Sequence, residues 1–241
     1  MLKNPSQNNA PTLSKAETIT TAAMILALTA IMALPAFVFF FLVPLLFAAT
    51  TQRLRMVIFA SVCFGVISIL YSLINFGTLA IGIIFIHSPW IAIIPRIGAG
   101  LVAYFVFKLF RKLIKDTNYV KKVLPFAISG GMGALANSVF VLGWIAVEYV
   151  WLGRSISMLD GVLEGITYYF GWERAFNLVD LIMIFIMPFN VPIEFAIGVG
   201  LVPPISIAYL TARKKWAKDT GLPIIETDEE RKEEIEMESE R

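Results

Sequence analysis

The stretch from His87 to Lys122 limits the possible folds more than any other part of the chain. It opens with two prolines and Arg96, continues with roughly twenty apolar residues and ends in six cations. A helix of about twenty apolar residues, rising about 1.5 Å per residue, crosses a hydrocarbon core of about 30 Å. A basic flank marks the cytoplasmic end of such a helix, so we expect Arg96 near the outer end, where a charge needs a partner. The six cations are Lys108, Arg111, Lys112, Lys115, Lys121 and Lys122.

The composition excludes a water-soluble globular domain. The 241 residues are 58% hydrophobic and 16% charged, with a mean hydropathy of +0.76, whereas soluble domains carry about 25% charged residues. A backbone in lipid must satisfy its own hydrogen bonds, which leaves helices or a closed barrel. Because the apolar runs are continuous and do not alternate, the sequence predicts an all-α integral membrane protein. Its one cysteine, Cys63, excludes an intrachain disulfide.

Charge and polarity divide the chain into three regions. Residues 1–15 form a polar leader, 16–215 a six-helix membrane domain, and 216–241 an acidic cytoplasmic tail. From Asp219 onward the tail holds ten of the 18 acidic residues and three of the 20 basic ones. We expect a solvated, poorly ordered segment there, with a regulatory or docking element as the alternative.

Proline and polar breaks divide the membrane domain into spans. The sequence predicts spans at 16–34, 36–50 and 56–76, a fourth in the stretch described above, and two more at 123–149 and 191–212. Residues 78–94 are predicted to form a loop dipping into the membrane. The 153–177 segment is predicted to be a surface helix, and 177–190 is too short to cross alone. Fusing the first two spans would give five spans and an outside N-terminus.

The distribution of cations favours a bundle of six transmembrane helices with both termini cytoplasmic. With six spans, fourteen lysines and arginines fall on the inner side and three on the outer side. Such a bias sets membrane orientation. The five-span alternative moves only the two lysines of the leader.

Polar and aromatic side chains from several segments fall in the outer half of the predicted bundle. Because ionisable groups within a membrane usually face an interior cavity, this convergence predicts an outward-facing small-molecule site. Each residue also has a structural interpretation. Arg96 can snorkel or pair with Glu194, Asn137 can bridge helices, and the tryptophans can be interfacial. His87 can be a hydrogen-bonded structural residue, and Asn75 and Asn190 can be helix caps. The candidate substrate-binding residues are Asn75, His87, Trp90, Arg96, Asn137, Trp144, Asn190 and Glu194.

Small residues one helical turn apart mark candidate helix contacts. Ala23 and Ala27 form the plainest such pair, in the first span. Small side chains let another helix approach closely, either within the bundle or in a partner protein. Similar pairs occur at Ala99 and Ala103, Ser129 and Gly133, and Ala196 and Gly200.

The sequence carries no recognisable catalytic motif. It lacks HExxH, GxSxG and a Walker lysine loop, and it has a single histidine. We therefore expect neither an enzyme nor a bound metal or other cofactor. Any ATP-driven transport would need an ATPase on another chain. No nucleic-acid partner is expected, because the basic residues lie at predicted membrane edges and form no continuous face.

Four segments, in order, resemble the substrate-binding S components of energy-coupling factor (ECF) vitamin transporters. HSPWIAIIPRIGAGLVAYFVFK resembles the proline-arginine opening of their fourth helix, and GGMGALANSVFVLGWI resembles their fifth. MPFNVPIEFAIGVGLVPPI is similar to their last helix, and the AxxxA of Ala23 and Ala27 to the first-helix motif that contacts the coupling subunit. The resemblance covers about 20–215. The near absence of a first outer loop and the long 153–190 insert depart from the family pattern.

The resemblance implies a multi-pass protein of the bacterial cell membrane that holds one vitamin near its outer surface. Its partners would be a transmembrane coupling (T) protein and two ABC-type ATPases. By this analogy Arg96, Asn137, Asn190 and Glu194 line the site, while Ala23 and Ala27 face the coupling protein. Since a guanidinium suits a carboxylate, pantothenate is the preferred substrate.

Two other functions remain open from the sequence. A stand-alone ion-coupled secondary transporter would use Glu194 or His87 as its carrier group. An intramembrane enzyme would use Glu148 or Glu194. An imposed pH gradient without ATP should drive flux through the first of these.

Overall fold

A computed structural model describes residues 13–33, 40–74, 80–114, 118–153, 157–171, 177–180 and 187–220. All regular structure in these ranges is helical. The α-helices are α1 Leu13–Met32, α2 Val43–Thr51, α3 Leu54–Ile74, α4 Ala80–His87, α5 Pro89–Leu113, α6 Tyr119–Ile145, α7 Ser157–Phe170, α8 Leu178–Asp180 and α9 Met187–Thr220, and a π-helical turn, Ala146–Trp151, follows α6.

Four helices of the described chain are long and apolar enough to cross a membrane. They cover Leu54–Ile74, Pro89–Leu113, Tyr119–Tyr149 and Pro188–Trp216, and match the predicted third to sixth spans. Large apolar side chains along α3 point outward, among them Ile58, Phe59, Val62 and Leu70. An apolar surface of that extent suits lipid contact and not water, which supports a helical membrane protein.

Helix α6 lies at the centre of the bundle, with α5 on one side and α9 on the other. Glycines let the backbones approach. A Cβ added at Gly198 of α9 would lie 2.7 Å from the carbonyl carbon of Gly130 on α6. On the α5 side, the Ser129 hydroxyl donates to the Ala103 carbonyl oxygen at 2.7 Å. Close backbone packing of this kind is typical of membrane helices.

The small-residue pairs differ in where they lie. Ala99 and Ala103 are fully buried, and Gly133 packs against Ala103. Ala196 and Gly200, by contrast, are exposed on α9, and a Cβ at Gly200 would meet nothing within 4 Å. On α9, close packing occurs at Gly198, which lies two residues from each member of the predicted pair.

The predicted second span is occupied in part by α2, a nine-residue helix in which every residue is buried. The length is too short for a full crossing. Its C-terminal end packs on α9, where the Thr50 hydroxyl hydrogen-bonds the Ser206 hydroxyl at 2.8 Å. Helices α1 and α2 are distinct, although residues 34–39 between them lie outside the described ranges.

The prediction of a loop at 78–94 is wrong, because α4 and the start of α5 occupy the described part of this segment. Ile83 and Ile84 of α4 are buried in an apolar cluster, which stabilises a helix there. Pro89 begins α5 and does not break it, since a proline in the first turn loses no helical hydrogen bond.

The predicted surface helix at 153–177 corresponds to α7, which is strongly amphipathic. Leu159 and Leu163 are buried, whereas Tyr168 and Tyr169 are exposed. At α8, the Asp180 carboxylate accepts a hydrogen bond from the backbone N–H of Asn177. The side-chain oxygen of Asn177 accepts one in return from the backbone N–H of Asp180. These short elements follow α6 and precede α9, so they lie beyond the same end of the bundle.

Candidate functional site

A carboxylate on α9, Glu194, joins three polar side chains from two helices. Asn190, one turn earlier, donates to Oε1 at 2.8 Å. From α6, the Ser138 hydroxyl and the Asn137 amide donate to Oε2 at 2.9 and 3.3 Å. We call this group the Glu194 cluster. It brings together three of the predicted site residues, Asn137, Asn190 and Glu194; sequence reasoning missed Ser138, although it directly follows Asn137.

Arg96 contributes a buried cation from α5 beside this cluster. The side chain is 6% exposed, and the guanidinium lies over the rings of Phe85 and Phe64, at 4.5 and 5.3 Å from their centroids. Burial disfavours its charge, and the Glu194 carboxylate acts in the opposite direction. Since the guanidinium is enclosed by aromatic rings, it does not reach the bundle surface, which argues against snorkelling.

Local backbone chemistry fixes one edge of the guanidinium. Pro95 has no backbone N–H, so the carbonyl of Ile91 lacks its usual helical donor. The Arg96 Nη1 takes that place at 3.1 Å. Pro95 and Arg96 therefore act as one unit, with the proline exposing an acceptor and the arginine using it.

Two buried polar atoms of the site have no hydrogen-bond partner among the described residues. They are Nε of Arg96, a donor, and Oδ1 of Asn137, an acceptor. Leaving such a group unpaired costs about 1–3 kcal/mol, more if it is charged. A donor and an acceptor near the same carboxylate offer complementary contacts to a polar ligand.

A second carboxylate, Glu148, organises a separate group that we call the Glu148 cluster. It is 6% exposed and lies in the π-helical turn. The indole N–H groups of Trp90 and Trp144 donate to its Oε1, the latter at 3.1 Å. The Ser88 hydroxyl donates to Oε2 at 3.1 Å and hydrogen-bonds the Tyr149 hydroxyl at 2.8 Å. The cluster thus ties the start of α5 to the end of α6.

Sequence reasoning placed Trp90 and Trp144 in the site but missed Glu148 as their acceptor, and it missed the Ser88 and Tyr149 hydroxyls that complete the cluster. The i, i+4 spacing of Trp144 and Glu148 was the available signal. No sequence signal indicates the contact between Glu148 and Ser88, because a serine before a helix usually caps that helix. Here the Ser88 side chain makes no cap hydrogen bond.

The two clusters lie at successive depths. Trp90 precedes Arg96 by six residues on α5, about 9 Å along the axis. Glu148, in the π-helical turn, follows Asn137 of α6 by eleven residues, about 16 Å. The Glu148 cluster therefore lies toward the helix ends and the Glu194 cluster further into the bundle, on the side opposite the basic ends of α5 and α9.

His87 makes a hydrogen bond within its own helix and belongs to neither cluster of the described residues. His87 is exposed, and its Nδ1 lies 3.1 Å from the Ile83 carbonyl oxygen one turn earlier, which matches its structural interpretation. Asn75 lies outside the described residues. Within the described ranges no three histidine, cysteine or acidic side chains form a group suited to a metal ion.

The predicted contact residues Ala23 and Ala27 are exposed on α1. The opposite face of α1 is buried through Thr21, Ile25 and Thr29. The small-residue face therefore points away from the described bundle.

Four long apolar helices define the class: this is a helical membrane protein, with the buried Arg96 and Glu148 among its helices. Comparisons with protein-family models, curated proteins and solved structures find no match for the chain.

Proposed function

We propose that this protein is the substrate-binding membrane subunit of an uptake system for a small carboxylate-bearing solute, a vitamin or related molecule. The observation that carries the proposal is that two buried polar atoms, Arg96 Nε and Asn137 Oδ1, have no hydrogen-bond partner among the described residues. Buried polar groups are normally paired. A ligand that accepts from Arg96 and donates to Asn137 completes both.

The chemistry of the three side chains selects the ligand. A guanidinium with a free donor binds carboxylate oxygens through charge-assisted hydrogen bonds. The Asn137 carbonyl accepts from a hydroxyl or amide N–H of the same molecule. Glu194, held by three donors, keeps the Asn137 amide group oriented so that its oxygen faces away from the carboxylate. Pantothenate, which has a carboxylate, hydroxyls and an amide, is the preferred candidate.

The same proposal includes six membrane segments with both termini on the cytoplasmic side. Helices α1, α3, α5, α6 and α9 would supply five of them, and the predicted span at 36–50, in which α2 lies, would supply the second. The orientation in the membrane follows from the cations at the ends of α5 and α9, which favour the inner side of a bacterial cell membrane. The two clusters then lie toward the outside.

Energy would come from other chains, a transmembrane coupling protein and two ABC-type ATPases, as in ECF transporters. The chain has no Walker lysine loop. The exposed Ala23 and Ala27 face of α1 offers the coupling protein a surface for close helix packing. In this arrangement the protein is a carrier subunit and not an enzyme.

Binding and transport can be tested separately. Native mass spectrometry of the purified protein should detect a co-purifying small acid, and isothermal titration with that acid should give tight binding by the chain alone. Liposomes containing only this chain should show no uptake of the labelled acid. Uptake should require the coupling protein, both ATPases and ATP. Uptake by the chain alone would refute the proposal.

The alternative is a stand-alone ion-coupled transporter, favoured by the position of Glu194 between α6 and α9. An ionisable group at such a depth is typical of ion carriers. In liposomes a pH or sodium gradient without ATP should then drive uptake, and Glu194→Gln should abolish it. The subunit proposal predicts no gradient-driven flux, either in the wild type or in the Glu194→Gln variant.

A further inference from the structure

A pocket of about 190 Å³ lies between α5, α6 and α9 at the end of the bundle opposite the two carboxylate clusters. Three cations line it, one from each helix: Arg111, Lys122 and Lys214. We call it the basic pocket. The convergence follows from helix direction, because α5 and α9 end where α6 begins.

The wall beneath these cations is apolar and aromatic. Phe107 and Phe126 pack against each other with ring centroids 4.8 Å apart, and Leu210 completes the wall from α9. The Arg111 guanidinium lies 5.9 Å from the Phe107 ring centroid, which keeps it at the pocket edge. Among the described residues that line the pocket none is acidic.

We propose that the basic pocket binds the phosphate group of an anionic membrane lipid. Three cations from separate helices surround a space suited to a phosphate, and such pockets between membrane helices bind lipid headgroups. The apolar wall distinguishes a lipid from free phosphate, because it gives the glycerol and upper acyl segments a surface to cover. Binding would join the ends of α5, α6 and α9, and it is independent of any solute held at Glu194.

The experiment measures lipid binding to the full-length protein by native mass spectrometry in a neutral detergent. The probes are dioleoyl phosphatidylglycerol, dioleoyl phosphatidylcholine and inorganic phosphate. Phosphatidylglycerol should bind more tightly than phosphatidylcholine, and Lys122→Gln with Lys214→Gln should weaken it roughly tenfold or more. The charge-keeping pair Lys122→Arg with Lys214→Arg should retain binding.

The matched control removes the same charge from outside the pocket. Lys112 and Lys121 are exposed on the same helix ends but do not line it, so Lys112→Gln with Lys121→Gln should change affinity less than about twofold. Equal losses in both double variants would show a diffuse surface effect and overturn the proposal. So would displacement of the lipid by inorganic phosphate at equal concentration, which would assign the pocket to a soluble anion. Lipid binding that appears only after removal of residues 221–241 would show that the acidic tail, and not a lipid, occupies the basic pocket in the full-length protein.

Discussion

The Nη1 of Arg96 donates to the carbonyl oxygen of Ile91 at 3.1 Å, the carbonyl that Pro95 leaves without a helical donor. This contact anchors one edge of the guanidinium while its Nε has no partner among the described residues. The anchored edge orients the group, and the buried Nε is the atom that we propose contacts the ligand.

Replacing Arg96 should weaken binding of an acidic ligand. Arg96→Ala should lose about 1.5–3 kcal/mol, the range for hydrogen bonds to charged groups, as measured by isothermal titration of the folded protein. Arg96→Lys keeps the charge but not the planar fork, so its affinity should fall between those of the wild type and Arg96→Ala. An unchanged affinity in Arg96→Ala would leave the arginine with a purely structural role.

Replacing Pro95 should disturb the same site indirectly. Pro95→Ala supplies a backbone N–H that competes with Arg96 for the Ile91 carbonyl. Ligand affinity should fall roughly threefold to tenfold as the guanidinium loses its anchor, the equivalent of about 1 kcal/mol. Pro125→Ala, inside α6 and remote from Arg96 along the bundle, is the matched control and should leave affinity unchanged. Equal effects of the two variants would disprove the anchoring role.

The glycine contact between α6 and α9 should be sensitive to one methyl group. Gly198→Ala places a Cβ against the Gly130 backbone and should destabilise the fold by about 1–3 kcal/mol through overpacking. Gly200→Ala, on the same helix with open space around it, should be neutral or up to about 1 kcal/mol stabilising. Reversible unfolding in mixed detergent micelles measures both. A neutral Gly198→Ala would contradict the close packing.

Removing one indole donor should loosen the Glu148 cluster. Trp90→Phe deletes the N–H that reaches Glu148 while keeping an aromatic ring, and should cost about 1–2 kcal/mol of unfolding free energy, since it takes a hydrogen bond from a buried carboxylate. Trp151→Phe is the control, because Trp151 is 82% exposed and should lose almost nothing. Equal unfolding free energies for Trp90→Phe and Trp151→Phe would contradict the prediction.

Larger side chains on α1 should impair assembly but not ligand binding. Ala23→Leu with Ala27→Leu should reduce co-purification of the coupling protein roughly tenfold, because leucines hold the helices apart. Ala196→Leu with Ala208→Leu adds the same volume to exposed positions of α9 and should leave co-purification intact. If both pairs bind the partner normally, the coupling surface lies elsewhere.

The sequence predicts the helical membrane class and the long helices well, because continuous apolar runs have one stable form in lipid. It also indicates that Asn137, Asn190 and Glu194 meet, because Asn137 on α6 lies at a similar depth to the other two on α9. Helix α4 and the start of α5 are mispredicted as a loop, since Pro89 begins a helix although its position alone resembles a break. Tertiary partners such as Ser88 for Glu148 leave no trace in local spacing.

The glycine contact between α6 and α9 also restricts how the molecule changes shape. Because the two backbones touch at Gly130 and Gly198, a slide of one helix along the other would bring a larger side chain into this backbone contact, where no space is left for it. We therefore expect α6 and α9 to move as one unit. If the protein carries a solute as proposed, its gate has to form among the elements packed around this helix pair.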